Sequence, residues 1–174
     1  MKKVFSFDAE TNGLWGQAFA IGALVYDENG TEIARFVGRL PDTEVTDEWV
    51  RANVLTQLTG LPVSHADYES LLADFSKFYL ENKADADIIV HMGYIVEVKL
   101  LRDMHQLGMI GDWDGPYSLH DVAGFLAQAG EDATSVDGYV RKHGLEIPDF
   151  GTTHNPLYDS AVAALVHRHL SRPA

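Results

Sequence analysis

The start of the chain contains three segments in which β-branched and aromatic residues predominate. They cover residues 4–7, 19–26 and 31–40, and residues 27–30, Asp-Glu-Asn-Gly, have the composition of a hairpin turn. β-Branched and aromatic side chains favour strands, and a turn of this kind joins neighbouring antiparallel strands. The pattern therefore predicts an antiparallel meander of three strands.

Further along the chain, apolar residues recur mostly at helical spacing, with two short apolar runs between them. The runs at 87–91 and 117–120 suit strands, the first of them central in a sheet. The helical pattern predicts six helices, at 46–58, 64–82, 96–107, 122–129, 135–143 and 156–170. Strands that come first and then alternate with helices predict an α/β fold, with a mixed five-stranded sheet flanked by helices.

Composition places the chain among compact globular proteins. Its 174 residues, 46% of them hydrophobic, predict a single domain over residues 1–174 with a core able to hold catalytic groups in place. The absence of cysteine excludes disulfides, thiolate zinc sites and cysteine nucleophiles, which leaves oxygen and imidazole ligands for a metal. No window approaches membrane-spanning length, and residues 1–4 lead straight into a strand. We therefore expect a soluble, unprocessed cytoplasmic protein without a membrane partner.

The formal charge of −13 argues against one class of nucleic-acid-binding protein. It has the wrong sign for a protein that coats duplex DNA by neutralising phosphates. A nuclease tolerates such a charge if metal ions supply local positive charge and only a few nucleotides at a chain end are gripped. A nucleotide phosphohydrolase would suit an acidic surface still better and stays open as an alternative.

Two acidic residues end the first strand, where the alternation of a strand points both side chains to the same side. Asp8 and Glu10 are separated by one residue. Carboxylates on a rigid strand suit Mg²⁺ or Mn²⁺, which prefer oxygen ligands. An acidic pair at a strand end also serves solubility and turn hydrogen bonds, so the pair alone leaves both interpretations open.

Two further carboxylates each head an apolar helical stripe. Asn155 and Pro156 suit the N-cap and the first position of a helix, which puts Asp159 one turn inside that helix, on its apolar face. Glu97 heads the apolar stripe of the helix at 96–107 in the same way. An acid on an apolar face indicates a partner such as a metal or a buried donor. The alternative for Asp159 is a first-turn acid favoured by the helix dipole.

Taken together, these residues resemble the DEDDh 3′–5′ exonuclease family of the RNase H-like superfamily. Residues 7–14, Phe-Asp-Ala-Glu-Thr-Asn-Gly-Leu, are similar to the family's first motif, Asp-x-Glu-Thr-x-Gly-Leu, and residues 20–23 resemble the start of its second strand. His154 with Asp159 matches its third motif, His-x4-Asp. The resemblance spans nearly the whole chain and implies an RNase H-like fold.

The second motif departs from the family pattern. The family has His-Asn-x-x-Phe-Asp, and the fifth position after His91 is Val96 in place of aspartate. We take Glu97 as the substitute, because one extra methylene and a one-residue offset can bring its carboxylate to the same metal. A chain that has lost this ligand would instead be a catalytically impaired nucleic-acid-binding module.

The resemblance also assigns roles to the candidate site residues. It implies two Mg²⁺ or Mn²⁺ ions per active site, about 4 Å apart, held by Asp8, Glu10, Glu97 and Asp159. These ions would clamp the attacking and leaving oxygens of an in-line displacement. His154 would be the general base that takes the proton of the attacking water. The products would be nucleoside 5′-monophosphates, released from the 3′ end of a single-stranded nucleic acid.

Substrate contacts are expected from the loop after the first strand. In the family, backbone groups near Thr11 and an apolar wedge at Leu14 position the terminal nucleotide, and Trp15 either stacks on its base or packs within the loop. Residues 48–55, Glu-Trp-Val-Arg-Ala-Asn-Val-Leu, resemble a small bacterial exoribonuclease branch that prefers adenylate ends, which favours RNA over DNA. The family also implies a homodimer.

Overall fold

A five-stranded sheet forms the centre of the molecule. The structure, a computed structural model, describes residues 2–58, 60–147 and 149–171. The strands, in chain order, are β1 Lys3–Thr11, β2 Ala18–Tyr26, β3 Glu32–Arg39, β4 Ala86–Val90 and β5 Leu119–Asp121. They lie in the order β3-β2-β1-β4-β5, with β1 to β3 antiparallel and with β4 and β5 parallel to β1. The predicted mixed sheet, including the opening meander, is confirmed.

Six α-helices flank the sheet in the part of the chain that the structure describes. Their bounds are α1 Glu48–Asn53, α2 Tyr68–Asn82, α3 Val96–Gln106, α4 Val122–Gln128, α5 Val136–His143 and α6 Pro156–Leu170. Two short 3-10 helices, Asp42–Glu44 and Leu55–Leu58, flank α1. Within residues 2–58, 60–147 and 149–171, none of the helices has the length and apolar character needed to cross a membrane.

The first helix is shorter than the segment 46–58 that was predicted. Asp47 caps its start by accepting a hydrogen bond from the Val50 N–H (2.9 Å). At its other end the Asn53 side-chain amide donates to the Trp49 carbonyl (2.8 Å), and the chain continues as a 3-10 turn. Polar side chains that bond to nearby backbone compete with the regular hydrogen bonds of a helix. As a result, α1 is a short segment that carries Trp49.

The helix predicted from residue 64, α2, begins later, after a capping box. Asp67 accepts a hydrogen bond from the Ser70 N–H (2.8 Å), and the Asp67 N–H donates in return to Ser70 Oγ (3.4 Å). The N–H groups of Ser64 and His65 both donate to the carbonyl of Arg39. These two residues are therefore tied to the end of β3 and do not belong to α2.

The strand β1 divides its side chains between the two faces of the sheet. Phe5, Phe7 and Ala9 are buried in the core that also contains α2 and α3. Asp8 and Glu10 alternate with them and point to the other face, where they meet α6. β1 extends beyond the predicted segment 4–7, because β2 pairs with it as far as Thr11. Both acids therefore lie within a paired strand.

A close contact at Gly22 seats α6 on the sheet. A Cβ atom at Gly22 would lie 2.5 Å from the carbonyl carbon of Pro156 and 2.6 Å from the nitrogen of Leu157. Ser160 Oγ donates a hydrogen bond to the Gly22 carbonyl (3.0 Å). Because only glycine permits this approach, the first turn of α6, with Asp159, lies directly against β2.

Candidate active site

Three carboxylates converge near the end of β1. Asp8 and Glu10 come from β1 and Asp159 from the first turn of α6, and one oxygen of each lies within 4.8 Å of the others. We call these three residues the carboxylate cluster. They line a cavity of about 310 Å³, whose other lining residues include His91, Met92, Val96, Glu97, Ser135, Asp137 and His154.

Burial and mutual repulsion make the cluster unfavourable for three negative charges. Burial, and then the charge of Glu97, raises the pKa of Asp8 well above its ordinary value. Burial, followed by the charges of neighbouring carboxylates, raises the pKa of Glu10 to about 10 and the pKa of Asp159 to about 9. A bound cation would offset this repulsion, so the cluster has the electrostatics of a metal site.

Glu97 is buried beside the cluster, although it lies outside the group of three close oxygens. The residue is 3% exposed, and its Oε1 accepts a hydrogen bond from the Ala9 N–H (3.1 Å). The pairing of β1 with β4 ends at Ser6 and Ile89, so the carboxylate takes the place of a strand partner for Ala9. Burial raises the pKa of Glu97 to about 7, while hydrogen bonds from the backbone oppose the rise. The side chain thus points inward, as its apolar stripe indicates, with one oxygen engaged by the backbone.

His154 lies beside the cluster in a left-handed backbone conformation. Its Nδ1 is 3.9 Å from Glu10 Oε1, and its side chain is 43% exposed. Its backbone N–H donates to Asp159 Oδ2 (2.8 Å). The φ angle of His154 is 68°, and Met92, which lines the same cavity, has a φ of 55°. Non-glycine residues keep such angles only where their surroundings enforce them, and these positions cluster at functional sites.

Two aspartates that sequence analysis missed support the rim of the cavity. Asp121, the N-cap of α4, accepts hydrogen bonds from the N–H groups of Met92 (3.0 Å) and Gly93 (3.1 Å) and so fixes the turn after β4. Asp137 in α5 lines the cavity and accepts a hydrogen bond from the Tyr158 hydroxyl (2.6 Å). Acids are common at helix starts, so sequence position alone does not distinguish these two.

A second pocket adjoins the carboxylate cavity and is largely apolar. It has a volume of about 360 Å³ and shares Ala9, Glu10, Val96 and His154 with the first cavity. Its other lining residues are Thr11, Gly13, Leu14, Asp47, Trp49, Val50 and Val54. Trp49 meets the ring of His154 edge-on, with centroids 6.2 Å apart. Trp15 is 69% exposed and lies outside the set that lines this pocket. The structure therefore brings Thr11 and Leu14 together with Trp49. Sequence analysis named Trp49 only as part of the segment 48–55 and gave it no role in the site.

The strand order and the flanking helices define an RNase H-like α/β fold. No protein-family model matches the sequence, and no curated protein matches it. Among solved structures, exonuclease X in complex with 5′ overhanging duplex DNA is similar, with a TM-score of 0.65 and 15% identity over 96% of this chain and 90% of that chain. Exonuclease I from Methylocaldum szegediense has a TM-score of 0.68 and 10% identity over 97% of this chain and 41% of that chain. The zinc-bound E. coli ExoI–ssDNA complex has a TM-score of 0.66 and 12% identity over 98% of this chain and 40% of that chain.

These similarities establish the fold. The RNase H-like class predicted from the sequence is confirmed, and the resemblance to exonucleases holds at the level of the fold. The chain matches nearly the whole of exonuclease X but 40% to 45% of the exonuclease I chains.

Proposed function

We propose that this protein is a metal-dependent 3′–5′ exonuclease that hydrolyses single-stranded nucleic acid, RNA in preference to DNA, and releases nucleoside 5′-monophosphates. One observation carries the proposal: oxygens of Asp8, Glu10 and Asp159 lie within 4.8 Å of one another, on a fold shared with exonuclease X and exonuclease I. Carboxylate clusters bind the hard cations that assist phosphodiester hydrolysis. These residues also belong to the first and third motifs, whose sequence resemblance supports the proposal.

The residues present fit Mg²⁺ or Mn²⁺. Asp8, Glu10 and Asp159 offer only oxygen ligands, which these ions prefer, and a divalent cation would offset the repulsion that raises their pKa values. We propose two ions per site, with Glu97 as a further ligand through Oε2, since its Oε1 bonds to Ala9. When bound, such ions stabilise the negative charge that develops on the attacking and leaving oxygens.

His154 would act as the general base. A neutral imidazole accepts a proton near pH 7, and the 43% exposure of this side chain lets it reach a water molecule beside the substrate. Its backbone N–H orients Asp159, and its Nδ1 is 3.9 Å from Glu10. The main chain of His154 thus bonds to one residue of the carboxylate cluster, and its side chain lies close to another.

The apolar pocket beside the cluster would hold the 3′-terminal nucleotide. Leu14 and Trp49 present large exposed side chains there, and an aromatic ring can stack on any base. Thr11 Oγ1 donates to the Gly13 carbonyl (2.8 Å), which holds the loop that carries Leu14. Trp15, exposed on the same loop, would extend this surface toward the next nucleotide.

The preference for RNA rests on α1, whereas the charge of the protein favours a short substrate. Residues 48–55 resemble the adenylate-preferring exoribonuclease branch and contribute Trp49 to the nucleotide pocket. A formal charge of −13 opposes binding along a long polymer, because phosphates are repelled. Short single-stranded RNA is therefore the substrate class that we propose.

Degradation of 5′-labelled oligonucleotides tests the proposal. Single-stranded RNA and DNA are incubated with Mg²⁺ or Mn²⁺, and the wild type is compared with Asp8→Asn and with the control Asp112→Asn, whose side chain is 81% exposed. We expect a ladder that shortens from the 3′ end for the wild type and the control, and no ladder for Asp8→Asn. Equal activity of Asp8→Asn and the wild type would remove the carboxylate cluster as the active site.

A catalytically impaired nucleic-acid-binding module is the second candidate. It is favoured by Val96, which occupies the position of the second-motif aspartate, and by the engagement of Glu97 with the Ala9 N–H. Tight binding of oligonucleotides that stay intact with either ion would support this module. If nucleoside triphosphates are supplied in place of oligonucleotides, release of phosphate or pyrophosphate would instead support a nucleotide phosphohydrolase.

A further inference from the structure

A second group of potential metal ligands lies at the opposite end of the sheet from the carboxylate cluster. Asp87 at the start of β4, His120 in β5 and His167 near the end of α6 each offer one ligand atom within 4.8 Å of the other two. We call these three residues the His-Asp cluster. Asp87 pairs with Val4, which lies about 13 Å along β1 from Asp8. The two clusters are therefore separate sites.

Both imidazoles carry a buried nitrogen without a protein partner. Nδ1 of His120 and Nδ1 of His167 are buried and accept or donate no hydrogen bond within residues 2–58, 60–147 and 149–171. His167 as a whole is 4% exposed. Buried polar atoms nearly always have a partner, so two such nitrogens in one cluster point to a ligand that binds imidazole.

Aromatic packing orients the two rings. Phe125 of α4 stacks on His120, with ring centroids 6.0 Å apart, and meets His167 edge-on at 5.1 Å. Asp87 is 22% exposed at its side chain and lies 3.4 Å from the ammonium of Lys2, which is itself 75% exposed. An exposed ammonium is easily displaced, so the carboxylate of Asp87 can turn to another cation. The cluster therefore combines two oriented imidazoles with one accessible carboxylate.

We propose that the His-Asp cluster is a transition-metal site that binds Zn²⁺ and ties β4, β5 and α6 together. Imidazole nitrogens favour Zn²⁺ and similar ions over Mg²⁺, whereas the all-oxygen carboxylate cluster has the reverse preference. Two histidines and one aspartate supply three ligands of a tetrahedral zinc ion. Asp87 and His120 also line a surface pocket, from which water can supply the fourth ligand.

Metal titration of a protein that keeps only Glu10 of the carboxylate cluster tests this site. In an Asp8→Asn/Asp159→Asn variant we expect calorimetry to detect one equivalent of Zn²⁺, without competition from millimolar Mg²⁺. Co²⁺ in its place should give the visible absorption of a four-coordinate site, and Zn²⁺ should shift the side-chain nitrogen resonances of His120 and His167. The thermal unfolding midpoint should rise with Zn²⁺, because the ion links three elements of the fold.

Single substitutions in the same background identify the ligands. His120→Gln and Asp87→Asn should each weaken Zn²⁺ binding by about 100-fold or more, since even outer-shell partners contribute 10- to 100-fold. His105→Gln, which changes a surface histidine paired with Asp112, should leave binding unchanged. These two partly exposed positions are chosen because replacement of the buried His167 could unfold the chain. Lack of stoichiometric Zn²⁺ binding, or binding that neither substitution weakens, would overturn the proposal.

Discussion

Replacing Gly22 with alanine tests whether the seating of α6 sets the geometry of the carboxylate cluster. The added Cβ would lie 2.5 Å from the carbonyl carbon of Pro156 and 2.6 Å from the nitrogen of Leu157, whereas ordinary contacts of a Cβ begin at 3.4 Å. These neighbours are backbone atoms, which cannot rotate away as the end of a side chain can. The first turn of α6 must therefore withdraw by about 1 Å.

Two measurable effects follow from this displacement. Overpacking of this kind costs about 3 kcal/mol of unfolding free energy, which lowers Tm by roughly 6–12 °C in a chain of this length. Asp159 lies in the same turn of α6 and moves with it. A misplacement of about 1 Å at the reacting centre should lower kcat/KM by about 100-fold, although Gly22 itself contacts no substrate in the proposed mechanism.

Thermal unfolding and the oligonucleotide assay measure these effects, with Gly124→Ala in α4 as the matched control. A Cβ at Gly124 meets no described atom outside its own helix within 4 Å. Alanine there should raise the unfolding free energy by about 1 kcal/mol, because it is the better helix former, and should leave activity unchanged. A Gly22→Ala protein with the stability and kcat/KM of the wild type would refute the reasoning.

Four further predictions concern the carboxylate cluster and its surroundings. Folding raises the pKa values of the cluster carboxyls, so in the metal-free protein they contribute stability that is complete below the unfolded-state pKa, declines as pH rises above that value, and is lost once pH has passed about 9 to 10. Tm should therefore fall between the unfolded-state pKa and about pH 9 to 10 and should recover with Mg²⁺, and a pH-independent Tm would contradict this. Denaturant titrations should give His154→Gly an unfolding free energy about 1 kcal/mol higher than that of His154→Ala, because a φ of 68° suits glycine. Both variants should lose activity, and equal unfolding free energies would argue against backbone strain at this position. Glu97→Ala should lower the unfolding free energy by about 1–3 kcal/mol, because it leaves the Ala9 N–H without a partner. Glu97→Gln keeps an acceptor and should lower the unfolding free energy less, so equal decreases in the two variants would contradict a stabilising role for this hydrogen bond. Trp49→Ala should raise KM for short RNA about 10-fold or more, with a smaller change in kcat, because stacking on an aromatic ring contributes about 1–3 kcal/mol per base. An unchanged KM would show that Trp49 does not bind the nucleotide.

Local patterns predicted the sheet and most of the helices, and the errors fall where contacts are distant in sequence. The alternation of apolar residues along β1 and β2 is visible in any short window. The start of α2 is not visible in this way, because Ser64 and His65 fit a helical pattern but donate hydrogen bonds to Arg39, at the end of β3. The segment rich in β-branched and aromatic residues covers only residues 4–7 of β1, whereas pairing with β2 carries the strand to Thr11.

In the candidate active site too, local patterns predicted some side-chain positions, whereas others depend on contacts distant in sequence. The positions of Asp8 and Asp159 could be inferred because a strand and a helix each give a side chain a direction, and the two directions converge. The hydrogen bond between Glu97 and Ala9 depends on where β4 stops beside β1, which no local pattern reveals. Trp49 reaches its pocket through the tertiary placement of α1, so its residue type alone did not indicate its location.

The strand β4 stops pairing with β1 at Ser6, whereas β1 continues to Thr11. Along this last stretch, one edge of β1 has no neighbouring strand in the described part of the chain, and the side chain of Glu97 enters the gap. In the proposed mechanism, the notch would let a single-stranded 3′ end approach Asp8 from the side. If β4 were a few residues longer, a continuous hydrogen-bonded surface would close over that entrance. Under this proposal, access to the acids would thus depend on a length mismatch between two adjacent strands.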